Sequence, residues 1–247
     1  MRLTVCAIAR NEARFIKNFV DSASLFADKV IIGDMESTDG TQAIATERGA
    51  LVHTIKFRSF LEQGFSWARN ELIPIAEGCG CDWVHWLDID ERVTKAHGEE
   101  IRKFSGDASR FIETSTFNSV PQNFDIEKWE SYLGDLPVST HPHMRSHPSN
   151  LGYHWRGYIH EELYRQDTHA FSICIPSPVH HWHFTNMNPK LDYPKPLLYG
   201  FMLNRGSKNP ELQRWTNSWW YVDWLKRIPH EEQAQAFRKL CSEAEGL

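Results

Sequence analysis

Residues 2–34, RLTVCAIARNEARFIKNFVDSASLFADKVIIGD, decide the fold class. Residues 2–9 form a continuous apolar run, the pattern of a strand buried on both faces. The next stretch places Phe15, Ile16, Phe19, Val20, Ala23 and Phe26 on one helical face. KVIIGD (29–34) is a second buried strand. MESTDGTQAIATERG then supplies turn residues and a short helix closed by Gly49, and ALVHTI (50–55) is a third strand. Alternating strands and helices specify an α/β fold, a parallel sheet with right-handed crossovers. Ligands of such sheets lie beyond the carboxyl ends of the strands.

Further along, a helix is expected at about 61–77, carrying Trp67, Arg69 and Asn70. It leads into a fourth apolar strand, DWVHWLDIDE, which finishes on Asp88, Asp90 and Glu91. Carboxylates crowded at a strand tip repel one another unless a cation is near. Two acids one residue apart on an extended segment point the same way, and hard divalent cations take carboxylate and phosphate oxygens. A lone DxD is weak evidence, and a solvated strand-to-turn junction is the alternative. Ser37 and Thr38 are expected to cap the helix after the second strand. SRFIETSTF (109–117) alternates like a strand, and residues 118–150 read as a long functional excursion. Two further strands are expected over 153–165 and 170–184.

Totals narrow the classes. The 247 residues are 41% hydrophobic and 24% charged, ordinary for a globular protein. A net charge of -5 argues against non-specific nucleic-acid binding. Five cysteines in no disulfide pattern point to a reducing compartment. No secretory signal and no apolar run of membrane-spanning length is read from the chain. GDMESTDGT departs from a calcium loop, with Asp39 and Ala45 where Gly and Glu are needed. HEELY has Tyr164 where a zincin needs His. There is no glycine-rich dinucleotide loop, P-loop or GxSxG elbow.

Taken in order, VCAIARNEARFIKNFVDS, ADKVIIGDMESTDGT, ERGALVH, WARNE and DWVHWLDIDERV resemble glycosyltransferase family 2, the inverting enzymes of the GT-A fold. The likeness covers about the first 95 residues and continues weakly at YIHEELY and PVHHWHF. It implies a GT-A-like nucleotide-diphospho-sugar transferase fold, with a mixed, mainly parallel central sheet flanked by helices. The catalytic domain would span residues 1–185, with a nucleotide-binding half (1–95) and an acceptor and metal half (96–185). A helical C-terminal arm would occupy 186–247.

The resemblance also implies site roles. Ala9, Arg10 and Glu12 line the nucleotide pocket, Asp34 contacts the nucleoside, and Arg69 approaches the base or diphosphate. Asp88 faces the ribose or metal side of the donor, Asp90 is the direct ligand of Mn2+ or Mg2+, and His181 is a further ligand with His183 as its alternative. Glu161 is the general base. Implied partners are a UDP- or GDP-type sugar donor and a glycan or lipid-linked acceptor in the cytoplasm, with a peripheral membrane contact and a homodimer left open.

Two departures stand out. Asp34-Met35-Glu36-Ser37 replaces the adjacent acids common after the second strand, and no Glu-Asp pair occurs between residues 95 and 200. Trp215 and Trp219, and Trp220 and Trp224, fall at helical spacing. They read as a packing face, an acceptor platform or an interfacial helix flanked by Lys226 and Arg227. A nucleotidyltransferase, a non-catalytic binding module and a zinc hydrolase using the histidine-rich second half are the rival functions.

Overall fold

The structure is a computed structural model that describes residues 1–117, 125–134, 138–183, 198, 202 and 230–245. The first half builds as the alternation requires: β1 (Leu3–Ala9), α1 (Ala13–Ala23), β2 (Lys29–Asp34), α2 (Thr41–Glu47) and β3 (Leu51–Thr54). Then come α3 (Phe57–Asn70), α4 (Ile73–Gly78) and β4 (Trp83–Trp86). The short β5 (Glu91–Arg92) is followed by α5 (Lys95–Ile101), β6 (Arg110–Phe117) and β7 (Val138–Pro148). Next are β8 (Tyr153–Arg156), β9 (Glu162–Arg165), β10 (Thr168–His169) and β11 (Ile175–His183), and then α6 (His230–Glu245).

One eight-stranded sheet runs β3-β2-β1-β4-β7-β6-β11-β5. Strands β3, β2, β1 and β4 are parallel, as are β6 and β11. β7 runs antiparallel to β4 and β6, and β5 antiparallel to β11. The mixed, mainly parallel sheet expected from the sequence is therefore present.

A core lies on each face. Leu3, Val5, Ala7 and Ala9 of β1 pack with Phe15, Ile16, Phe19 and Val20 of α1 on one side. Cys6 and Ile8 turn to the other, against Phe60 and Leu61 of α3 and Leu72. The six apolar positions expected on the α1 face are all buried, each contributing roughly 1.5–3 kcal/mol for the larger side chains.

Several expectations are corrected. The helix at 61–77 is two helices, and α3 begins at Phe57 and kinks at Gly64, whose φ is 86°. Residues 118–150 are no loop excursion throughout, because β7 occupies 138–148 within the main sheet. Pro142 hid this strand. β4 pairs with β7 only over residues 146–148, so Pro142 lies beyond that ladder, where its missing N–H costs no bond to β4. The segment 153–165 is two strands of a separate β10-β9-β8 sheet, and 170–184 opens as a 3-10 turn before β11. Ser37 and Thr38 do not cap α2. Gly40 holds the cap position, and the Thr41 N–H meets Asp39 Oδ1 at 3.1 Å.

Of the expected C-terminal arm, α6 is described, with Ala236 and Leu240 buried in the core beside α3. The Trp-rich stretch 214–227 lies outside the described residues. Among the described residues no helix is long and apolar enough to cross a membrane. All five cysteines are free.

Candidate active site

The carboxyl ends of β1, β2 and β4 lie side by side. Ala9, 2% exposed, sits opposite Asp34 in the β1–β2 ladder, and the Leu87 N–H reaches the Cys6 carbonyl at 3.2 Å. Polar bonds stitch the first two ends together. The Arg10 guanidinium donates to the Met35 and Glu36 carbonyls and stacks on Phe57, 3.5 Å from the ring centre. The Asn11 N–H meets Ser37 Oγ at 2.8 Å, and the Glu12 N–H meets Thr41 Oγ1 at 2.7 Å. Asn11 and Glu36 hold left-handed backbone, each with φ of 54°. Such strain persists only where surrounding contacts over-determine it, and it clusters at functional sites.

Asp34 is fully buried. Its Oδ1 accepts from the Ser37 N–H at 2.8 Å and from Gln42 Nε2 at 2.5 Å. Its Oδ2 is buried without a hydrogen-bond partner among the described residues. A buried acceptor left unpaired costs about 1–3 kcal/mol, which a ligand N–H or hydroxyl would recover.

At the end of β4 the chain turns, with the Glu91 N–H bonded to the Asp88 carbonyl at 2.8 Å. Asp88 and Asp90 therefore sit on a turn, not on the extended segment expected, and their carboxylates bond different partners. Asp88 is clamped by arginines: Oδ1 accepts from Arg69 Nη2 at 2.6 Å and Oδ2 from Arg145 Nη2 at 3.1 Å. Burial raises its pKa, but Arg145 and Arg69 outweigh that and hold it well below the usual range. Asp90 Oδ2 faces His183 Nε2 at 3.1 Å. Burial opposes charge on His183, yet the Asp90 carboxylate prevails and its pKa is pushed up to about 9.

Arg69, 3% exposed, also donates from Nε to Glu161 Oε1 at 2.6 Å. Its guanidinium lies 5.1 Å from the Trp155 ring centre and 5.5 Å from that of Trp86. Burial lowers its pKa, while Asp88 and Glu161 reverse the sign and raise it. This arginine serves two carboxylates through Nε and Nη2, and its Nη1 is buried without a hydrogen-bond partner among the described residues. Glu161 comes into the site next to His160, another left-handed residue with φ of 58°.

His181 does not join Asp88 and Asp90. It is fully buried, its Nε2 stands 3.0 Å from His85 Nε2, and its Nδ1 is 3.8 Å from Glu91 Oε2. Burial lowers its pKa against the pull of Glu91. The ligand set Asp88, Asp90 and His181 is therefore not assembled, and among the described residues no three His, Cys, Asp or Glu side chains form a ready metal site. Asp90 and His183 face each other across a hydrogen bond, and a cation seated between them would take the place of its proton. Two donors on one octahedral ion at about 2.1 Å stand roughly 3.0 Å apart at right angles, and Asp90 and His183 are 3.1 Å apart. Magnesium-like ions commonly keep one or two protein ligands and take the rest from phosphate and water.

Sequence reading counted Glu91 among the strand-tip acids without a site role of its own, and gave no role to Arg145. Arg145 lay in the presumed excursion, and its partners are 57 and 54 residues away. Glu91 is fully buried, and Arg145 outweighs the burial that would raise its pKa.

The sequence model described as glycosyl transferase family 2 matches residues 4–120. A TPR repeat-containing protein of Synechococcus elongatus is 37% identical over 102 residues, which are 41% of this chain and 23% of that one. An uncharacterized glycosyltransferase of Rickettsia felis is 33% identical over 100 residues, 40% of this chain and 32% of its own. The chain thus spans about a quarter to a third of the length of these relatives. Among solved structures, glucosyl-3-phosphoglycerate synthase from Mycobacterium tuberculosis is similar at 17% identity and a TM-score of 0.47, covering 83% of this chain and 80% of that one. Residues 4–120, which carry β1 to β4 and the acidic turn, are thus the part of the chain that matches glycosyl transferase family 2.

Proposed function

We propose that this protein transfers a sugar from a nucleotide diphosphate to a hydroxyl of a glycan or lipid-linked acceptor, with inversion and with a divalent cation. The observation that carries the reading is the 3.1 Å approach of Asp90 and His183 beside the Arg69-held pair Asp88 and Glu161. The family match over residues 4–120 supports the reaction class.

Asp34 Oδ2 would take a hydrogen from the nucleoside, with Ala9, Arg10 and Glu12 lining the nucleotide pocket as the resemblance implies. Asp90 and His183 would hold Mn2+ or Mg2+, which when bound supplies Lewis acidity to the departing diphosphate. Glu161 would remove the acceptor proton while the acceptor oxygen displaces the diphosphate from the anomeric carbon. A single displacement inverts that carbon. Arg69 fixes Glu161 against Asp88, so base and acidic turn keep one relative position, and proximity supplies much of the rate.

Release of UDP or GDP from a panel of nucleotide sugars tests this. Release is expected with Mn2+, and it should vanish with EDTA and in Asp90→Asn. Turnover that survives both treatments contradicts the reading.

A further inference from the structure

A β-bulge aims Arg145 at the acidic turn. In the β6–β7 ladder Arg110 pairs with Ser146 and Phe111 with Met144, so Arg145 is the extra residue with no opposite number. Bulges re-aim side chains and recur beside active sites. Burial along β7 loses its alternation here, with Met144, Arg145, Ser146 and His147 all buried.

Arg145 Nη2 reaches two carboxylates at once, Glu91 Oε1 at 2.6 Å and Asp88 Oδ2 at 3.1 Å. Glu91 in turn closes the turn from both ends. Its Oε2 accepts the Asp88 N–H at 2.9 Å, and its own N–H holds the Asp88 carbonyl at 2.8 Å. Glu91 is also the ladder partner of His183, where β5 meets β11. One buried pair thus fixes the backbone of residues 88–91 and the strand end that carries His183. Asp90 lies inside that closed turn, and its carboxylate faces His183 as a consequence.

We propose that Arg145 and Glu91 are positioning residues for the cation seat. They touch neither cation nor substrate; they set the turn at which Asp90 and His183 meet. This rests on the reading of that pair as the seat. A plain structural ion pair would stabilise the fold without affecting metal affinity.

The test is Mn2+ titration of the full chain, followed by the electron paramagnetic resonance signal of free Mn2+, with UDP or GDP present. Wild type is expected to take up one Mn2+ per chain. Arg145→Met with Glu91→Gln removes both charges together, so neither is left buried and unpaired. This double variant should keep a wild-type near-ultraviolet circular dichroism spectrum and lose about tenfold or more in Mn2+ affinity, the usual scale for groups that orient a ligand. Arg145→Lys keeps the charge but not the planar fork, and should fall between the two. Wild-type Mn2+ affinity in the double variant, or in Arg145→Lys if the double variant does not fold, overturns the proposal. A wild-type protein that binds nucleotide but no Mn2+ overturns the cation seat itself, and the positioning role with it.

Discussion

Asp34 and Asp90 stand at neighbouring strand ends and do separable work. Asp34 is buried beneath the loop after β2 with one oxygen open, whereas Asp90 faces His183 across the tip of β4. Asp34→Asn is expected to weaken UDP or GDP binding about tenfold or more with and without Mn2+, since one good buried hydrogen bond to a charged group contributes roughly 1.5–3 kcal/mol. Asp90→Asn should leave the metal-free affinity unchanged and abolish the gain from Mn2+. Calorimetry with each nucleotide in EDTA and in Mn2+ checks both. The acids were legible because they end an apolar strand. The choice between His181 and His183 was not, since residues two apart on a strand share a face. Depth separates them: His181 is sealed against His85, and His183 stands 21% exposed at the tip.

At the scale of elements, Gly64 joins α3 to the segment that presents Glu161. A Cβ there would run into the Tyr158 carbonyl and ring, and the neighbouring Phe65 N–H bonds that carbonyl at 2.9 Å. Gly64→Ala is expected to cost about 3 kcal/mol by clash and left-handed strain, read as a lower urea midpoint with unchanged slope. Trp86 and His147 tie β4 to β7, the indole N–H donating to His147 Nε2 at 3.1 Å. Burial pushes the His147 pKa down to about 4. The folded state then binds fewer protons than the unfolded one, so stability should be full above about pH 6.5 and fall progressively toward pH 4. Urea unfolding across that range measures it, and His147→Gln, which keeps an acceptor for the indole, should flatten the fall. β1 to β4 were legible from apolar runs and turn residues. β7 was not: its prolines mimic a loop, and its bulge at Arg145 erases the period of two on which strand recognition depends.

Over the whole molecule, one sheet separates two cores, and Asp34, Asp88 and Asp90 lie at the edge formed by the carboxyl ends of β2 and β4. The C-terminal helix α6 reaches the same edge, where Glu243 pairs with Arg10 at 2.9 Å, 233 residues apart in sequence. Chain order announced the first ninety-odd residues of this arrangement. It could not announce that β9, β11 and α6 bring Glu161, His183 and Glu243 back to the tips of β1 and β4, because those meetings depend on packing and not on local pattern. The central claim is that a divalent cation and a nucleotide diphosphate share the acidic turn. Anomalous scattering at the manganese edge, from crystals soaked with Mn2+ and UDP or GDP, tests it most directly. The expected peak lies roughly 2.0–2.6 Å from both Asp90 Oδ2 and His183 Nε2, with phosphate oxygens on its far side. A nucleotide bound near Asp34 with no manganese at that pair would contradict the account.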